Sequence, residues 1–206
     1  PDEIQVGLQP TRTGDFETRR IFLADRLENG AGYAPELGRA PQLKQVLEGI
    51  LDELAPEYEG PRHGDCNESC PDCLRSWDNR SLHGALDWRL ALDVATLASG
   101  LPLPTHRWFS EAERKADQFV TAYAEALPCD VVRVGDLFAV VRNDRSAAVV
   151  LGHPLWLHDE KFLNESQAES FEEIRSSFGV RKVSMSDLWV LDRIPSRVFR
   201  MLRGSD

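Results

Sequence analysis

Three cysteines fall within eight residues, in the run His63-Gly-Asp-Cys66-Asn-Glu-Ser-Cys70-Pro-Asp-Cys73. Thiolate sulfur binds zinc at about 2.3 Å, and a short loop can bring several such ligands to one tetrahedral ion. Cys70-Pro-Asp-Cys73 is a Cys-x2-Cys half-site, whose turn points both sulfurs the same way. Cys66 is close enough to supply a third ligand. The fourth has to come from elsewhere, and two histidines compete for it. His63 lies just upstream, with two residues between it and Cys66, and would make a tight local knuckle. His83 lies beyond the loop, just before the next helix, and would tie loop to helix. We favour His83. Asp65 and Asp72 are near, but carboxylates are less common in structural sites.

Such a site is structural, because four protein ligands leave no open coordination position. A water in the fourth position would revive a hydrolytic reading, with Glu68 as the one glutamate inside the loop to serve as base. A disulfide framework is the competing account of the cysteines. It would leave one loop thiol to pair with distant Cys129, and no secretory signal supports it. The spacing therefore predicts a structural Zn2+ and a reducing, cytoplasmic setting.

The chain has 206 residues, 42 % of them apolar, enough for a core in one large domain or two small ones. No apolar run approaches the roughly 18 residues that cross a bilayer, so no membrane role is expected. The net charge of −10 argues against a nucleic-acid binder that is basic all over, and leaves room for a local basic stripe. The chain starts at Pro1 rather than at a methionine, which leads us to expect a piece of a longer polypeptide.

Thr18-Arg-Arg-Ile-Phe-Leu-Ala-Asp25 reads as a strand running into Glu28-Asn-Gly-Ala-Gly-Tyr33. Pro41 then suits the first turn of a helix. Leu43, Val46, Leu47, Ile50, Leu51 and Leu54 recur at helical steps and predict one buried face, with Pro56 as the stop. Leu86 to Ser99 is a second helix, apolar on most sides, ended by Gly100. Leu101-Pro-Leu-Pro104 marks a boundary, giving a zinc-binding lobe over residues 1–100 and an α/β lobe over 105–206. In the second lobe Ser110-Glu-Ala-Glu113 has the form of a capping box opening a helix to about Ala126. Strands follow at Asp130–Val134, Leu137–Arg142 and Ala147–Leu151, then a helix at Ser166–Ser177 and a strand at Val180–Val183. Ser196–Leu202 closes the chain as a helical turn or two. The fold class is thus α+β: a zinc-stapled helix and strand lobe followed by an αβββαβ-like lobe with a mainly antiparallel sheet.

The stretch Ile21-Phe-Leu-Ala-Asp-Arg-Leu-Glu-Asn-Gly-Ala-Gly-Tyr33, with Cys66-Asn-Glu-Ser-Cys-Pro-Asp-Cys-Leu-Arg-Ser-Trp-Asp-Asn79 and His83-Gly-Ala-Leu-Asp-Trp88, resembles the MrfA-type zinc-binding domain. That domain sits at the C-terminal end of large superfamily 2 DNA helicases. It also occurs in the helicase-associated subunit of DISARM anti-phage systems and in similar bacterial defence proteins. The resemblance covers about residues 15–98. One common version of the pattern carries a cysteine where Gly64 stands here. A four-cysteine site is therefore absent and a histidine is needed; the version most like this chain has a histidine near His83. The resemblance implies a role beside an ATP-dependent DNA motor, with motor domains or a defence-complex subunit as partners and DNA reached through the motor. The motor is not in this stretch: neither a Gly-x4-Gly-Lys-Ser/Thr loop nor an Asp-Glu-x-His box occurs. The Asn29-Gly-Ala-Gly32 turn could in principle offer amides to a phosphate, but a tight strand-to-helix turn packed against the zinc loop is the favoured reading.

The second lobe's element order resembles that of restriction-endonuclease-like nucleases. Those enzymes need an acid at the second strand and an acid with a lysine on the third, to hold magnesium and activate water. Asp136 stands before the second strand, while Ala147-Ala-Val-Val-Leu151 carries neither acid nor lysine. A scaffold without catalysis is the simpler reading, with a metal-dependent nuclease lobe or a pure protein-interaction scaffold as alternatives. Trp156 suits an interface anchor or a core residue. Arg197, Arg200 and Arg203 recur at three-residue steps beside Val198, Phe199 and Leu202. On a helix this makes a basic edge for phosphate contact, or a solvated face.

Overall fold

The computed structural model describes residues 4–13, 16–26 and 32–204. It groups the chain into two compact units, residues 1–62 with 94–102 and residues 63–93 with 103–206. The cysteine loop is grouped with the C-terminal residues.

In the first unit β1 (Ile4–Thr13) pairs antiparallel with β2 (Phe16–Asp25), in a register that sets Gly7 opposite Phe22. A Cβ at Gly7 would come within 2.1 Å of the Phe22 ring, so only glycine lets that ring lie across the strand. Asp25 accepts the Ala34 amide at 2.8 Å at the start of α1 (Tyr33–Leu37). Gly32 takes φ +79° before that helix; the rest of the Asn29-Gly-Ala-Gly32 turn lies outside the described residues.

The next helix departs from the sequence expectation in two ways. Pro56 does not stop it. After α2 (Ala40–Gly49) the backbone opens into a π turn at Ile50–Leu54 and continues as α3 (Ala55–Tyr58). The Ala55 amide reaches back to the Ile50 carbonyl, one residue further than in an α-helix. The wider turn makes room for a ring that would collide with the carbonyl four residues back. Nor does α2 bury its apolar stripe. None of its residues is buried, and Leu43, Leu47 and Leu51 line an open groove with Ala98 and Leu101.

The second unit holds a four-stranded sheet in the order β3 (Cys129–Val134), β4 (Leu137–Arg142), β5 (Ala147–Gly152), β6 (Lys182–Asp187). The first three strands are antiparallel and β6 runs parallel to β5. A parallel pair needs a crossover, which α6 (Glu165–Phe178) supplies. Alternate side chains serve opposite faces. Phe138, Val140, Val149 and Leu151 pack against Ala112, Ala116 and Phe119 of α5 (Phe109–Tyr123), with Leu188 and Leu191 of α7 (Leu188–Arg193) and Val198 and Leu202 of α8 (Pro195–Arg203). Ala139, Val141, Ala148 and Val150 meet Phe171 and Ile174 of α6. Burial on both faces is why β4 and β5 read as unbroken apolar runs; each buried Val or Leu contributes about 1.5–3 kcal/mol.

The Ser110-Glu-Ala-Glu113 capping box does not form. Residues Thr105–Trp108 make a 3-10 turn that leads straight into α5, so Ser110 is already inside the helix. The box that does form is on α6, where Asn164 and Gln167 exchange hydrogen bonds of 2.9 Å. Helix α7 has no counterpart in the sequence reading. Asp187 starts it by accepting the Val190 amide at 2.7 Å, a cap hidden at the end of a strand.

Candidate metal centre

The knuckle forms from local backbone chemistry. Cys73 and Arg75 donate their amides to the Cys70 carbonyl at 3.1 and 3.0 Å, closing the turn over Pro71 and Asp72. The Cys70 amide then donates to Cys73 Sγ, 3.1 Å away, which fixes the position of that sulfur. A second turn, Cys66 N–H to the His63 carbonyl at 3.0 Å, brings Cys66 and His63 to the same place.

The four ligand atoms of His63, Cys66, Cys70 and Cys73 lie within 4.8 Å of one another. Cys66 and Cys73 sulfurs are 4.0 Å apart, Cys70 and Cys73 sulfurs 3.8 Å, and Cys70 Sγ is 3.4 Å from His63 Nε2. Sulfurs at about 2.3 Å from a tetrahedral zinc stand roughly 3.8 Å from each other, so the spacing fits that ion. All the cysteines are free thiols, and Cys129 is buried on β3, its thiol pushed up to about 11 by burial. Burial, with the Cys70 and Cys73 sulfurs beside it, pushes the Cys66 thiol up to about 12. Three crowded thiolates repel, and a divalent cation at their centre removes that penalty. With three sulfurs and an imidazole the coordination shell is closed, so zinc here is structural.

The fourth position corrects our preference for His83. That ring's Nε2 lies 3.0 Å from both the Ser76 carbonyl and Asn79 Oδ1. Asn79 Oδ1 already accepts the Ser76 amide, so both neighbours are acceptors and Nε2 must carry a hydrogen. His83 is spent on holding the loop after Cys73. His63 is buried instead, its ring edge-on to Trp88 at 5.4 Å between centroids.

The start of α4 (Trp88–Ala98) clamps the loop. Three consecutive carbonyls accept from two consecutive residues: the Trp88 indole donates to Cys66 at 3.1 Å, Arg89 Nη1 to Asn67, and the Trp88 amide to Glu68 at 2.8 Å. Asp87 caps the helix through the Arg89 amide at 2.8 Å, and burial raises its carboxyl to about 6. Glu68 itself turns to α5 and α7. Lys115, buried, lies 3.6 Å from Glu68, 3.2 Å from Glu111 and 2.9 Å from Asp192. Glu68 is thus a tether for the loop rather than a base beside the ion. Sequence reading had no signal for this, since the partners lie far along the chain.

Arg197, Arg200 and Arg203 stand exposed along α8, whose Val198 and Leu202 are buried. Trp156 packs on the sheet and against His153, the core reading. Among the described residues the cysteine cluster is the one group of three or more histidine, cysteine or acidic side chains placed to share an ion; Asp136 has no such company. Again among the described residues, no helix is long and apolar enough to cross a membrane.

Comparison with known proteins agrees with this site. A stretch of 100 residues, 48 % of the chain, is 33 % identical to the Druantia protein DruE of Escherichia coli (strain UMEA 4076-1), and this chain spans only 5 % of that protein's length. No solved structure matches. Residues 1–74 match the family model of the MrfA Zn-binding domain, a match that takes in His63 and the three loop cysteines and ends before His83.

Proposed function

We propose that this chain is the zinc-stapled module of a large ATP-dependent superfamily 2 DNA helicase or translocase, or of its partner subunit, in bacterial anti-phage defence or DNA repair. The observation that carries this reading is the closed His63-Cys66-Cys70-Cys73 cluster inside the region matched by the MrfA Zn-binding domain. The likeness to DruE supports the defence setting. In this reading zinc fixes the loop, Trp88, Arg89 and Glu68 lock it to the α/β scaffold, and the scaffold presents the module to the motor and to DNA in a reducing cytoplasm. The exposed Arg197, Arg200 and Arg203 edge supplies phosphate contacts. The αβββαβ order of the second lobe is nuclease-like in sequence of elements only. With β5 buried and apolar from end to end, that lobe acts here as a support.

The test is binding of a labelled duplex across a salt series, with zinc content measured alongside. The expected result is affinity that falls steeply with salt, with a slope reduced by roughly three charges in the triple Arg197→Ala, Arg200→Ala, Arg203→Ala variant. Absence of DNA binding at low salt would remove the DNA role and leave a protein-interaction scaffold. Magnesium-dependent cleavage abolished in Asp136→Ala would instead restore the nuclease reading.

A further inference from the structure

Trp77 is 78 % exposed, the most open large apolar side chain among those described. It stands four residues past the last zinc ligand on a loop fixed by polar contacts. Asn79 accepts the Ser76 amide at 2.8 Å and donates to the Leu74 carbonyl at 2.7 Å. His83 donates to Ser76 and Asn79, and the Leu82 amide to the Asn79 carbonyl at 2.8 Å. The backbone is therefore held on both sides of Trp77 without using its ring. Packing does not account for the indole, and leaving so much apolar surface in water is unfavourable.

One face of the ring is covered by the Arg80 guanidinium, 4.5 Å from the ring centroid. Among the described residues Arg80 makes no ion pair. We propose that Trp77 and Arg80 form a stacking site for an unpaired nucleobase of single-stranded nucleic acid, the base on the open indole face and its phosphate on Arg80. Aromatic faces accept any base, and a stacked arginine adds the charge that the backbone needs. A protein anchor is the other use of an exposed tryptophan, but such anchors sit within a rim of contacts that exclude water. The residues around Trp77 are Ser76, Asp78, Asn79, Arg80 and Ser81, with Leu82 the one exposed apolar neighbour in the segment. The inference rests on the reading of this chain as a module working beside DNA.

Fluorescence anisotropy with a labelled oligo-dT 12-mer tests it on the full 206-residue chain. Trp77→Ala is expected to weaken binding roughly ten- to hundred-fold with the salt slope unchanged, and Trp77→Phe to recover part of the loss. Arg80→Ala is expected to lower the slope by about one. Unchanged zinc content in each variant reports an intact loop. Equal affinity of wild type and Trp77→Ala overturns the stacking site and leaves the ring to a protein partner. Duplex binding that depends on the α8 arginines, without oligo-dT binding, overturns the stacking site while sparing the DNA role. No binding to either nucleic acid ends both.

Discussion

Glu68, between two of the zinc-site cysteines, accepts from a single Arg193 terminal nitrogen with both carboxylate oxygens, at 3.0 and 3.1 Å, across 125 residues of chain. Its other charged partner is Lys115. The loop that holds the ion is therefore fastened by long-range polar contacts as well as by the metal.

Lys115 should matter more than its partner. Lys115 is 7 % exposed and Glu111 is 3 % exposed, so Lys115→Met leaves a buried carboxylate with Arg114 as its remaining cation. Breaking a buried pair on one side costs about 3–5 kcal/mol, and the surviving Arg114 contact places this case near the low end. Glu68 is more open, and Glu68→Gln should cost about 1 kcal/mol or less. Urea unfolding of the two variants checks the order; equal losses would mean that the cluster is screened by water.

Metal analysis separates the two histidines. His63→Ala should bring zinc well below one ion per chain and lower thermal stability, because one of four ligands is gone. His83→Ala should keep a full complement of zinc and lose only the hydrogen bonds to Ser76 and Asn79. A chelator should destabilise wild type and the His83 variant alike. Zinc lost from His83→Ala and retained in His63→Ala would reverse the ligand assignment.

The three sulfur ligands were legible because Cys-x2-Cys spacing dictates local geometry. The fourth was not, because two histidines at workable spacings differ only in what else surrounds them. His83 meets two acceptors; His63 meets Trp88 and sulfur. Strands β4 and β5 were read almost to the residue, since a run of Val, Ala and Leu bounded by Asn143-Asp-Arg-Ser146 leaves little choice. Pro56 misled, because a π turn is one residue's adjustment that no periodicity records. The arginines of α8 do lie on one exposed face, as their three-residue spacing implied.

Asp87 gives stability a definite pH dependence. Burial lifts its carboxyl to about 6 in the folded chain, against about 4 for an exposed aspartate. Below pH 4 it is protonated whether the chain is folded or not, and contributes nothing. Between pH 4 and 6 the unfolded chain releases the proton while the folded chain retains it, so stability falls as pH rises and levels off above 6. The loss amounts to at most about 3 kcal/mol. Asp87→Asn removes the titration. The stability difference between wild type and this variant should therefore shift against wild type from pH 4 to pH 6.5. A difference that stays constant over that range would show the carboxyl to be solvated.

Asp93 is the most demanding polar residue of the second unit. It is fully buried on α4 and accepts from Arg107 Nη1, from the Trp108 indole at 2.7 Å and from His153 Nε2 at 2.8 Å. The other nitrogen of His153 accepts the Leu155 amide at 3.0 Å, so Nε2 carries the hydrogen given to Asp93. Asp93→Ala takes the shared acceptor away from a buried guanidinium and two further donors at once, and a loss of about 3–5 kcal/mol is expected. His153→Ala removes one donor and opens a gap beside Trp108, yet leaves the Asp93–Arg107 pair intact; it should cost about 2–3 kcal/mol. Because Asp93 and His153 share one hydrogen bond, the double variant should lose less than the two single losses added together. Additive losses in urea unfolding would mean that the contact between them carries no coupling.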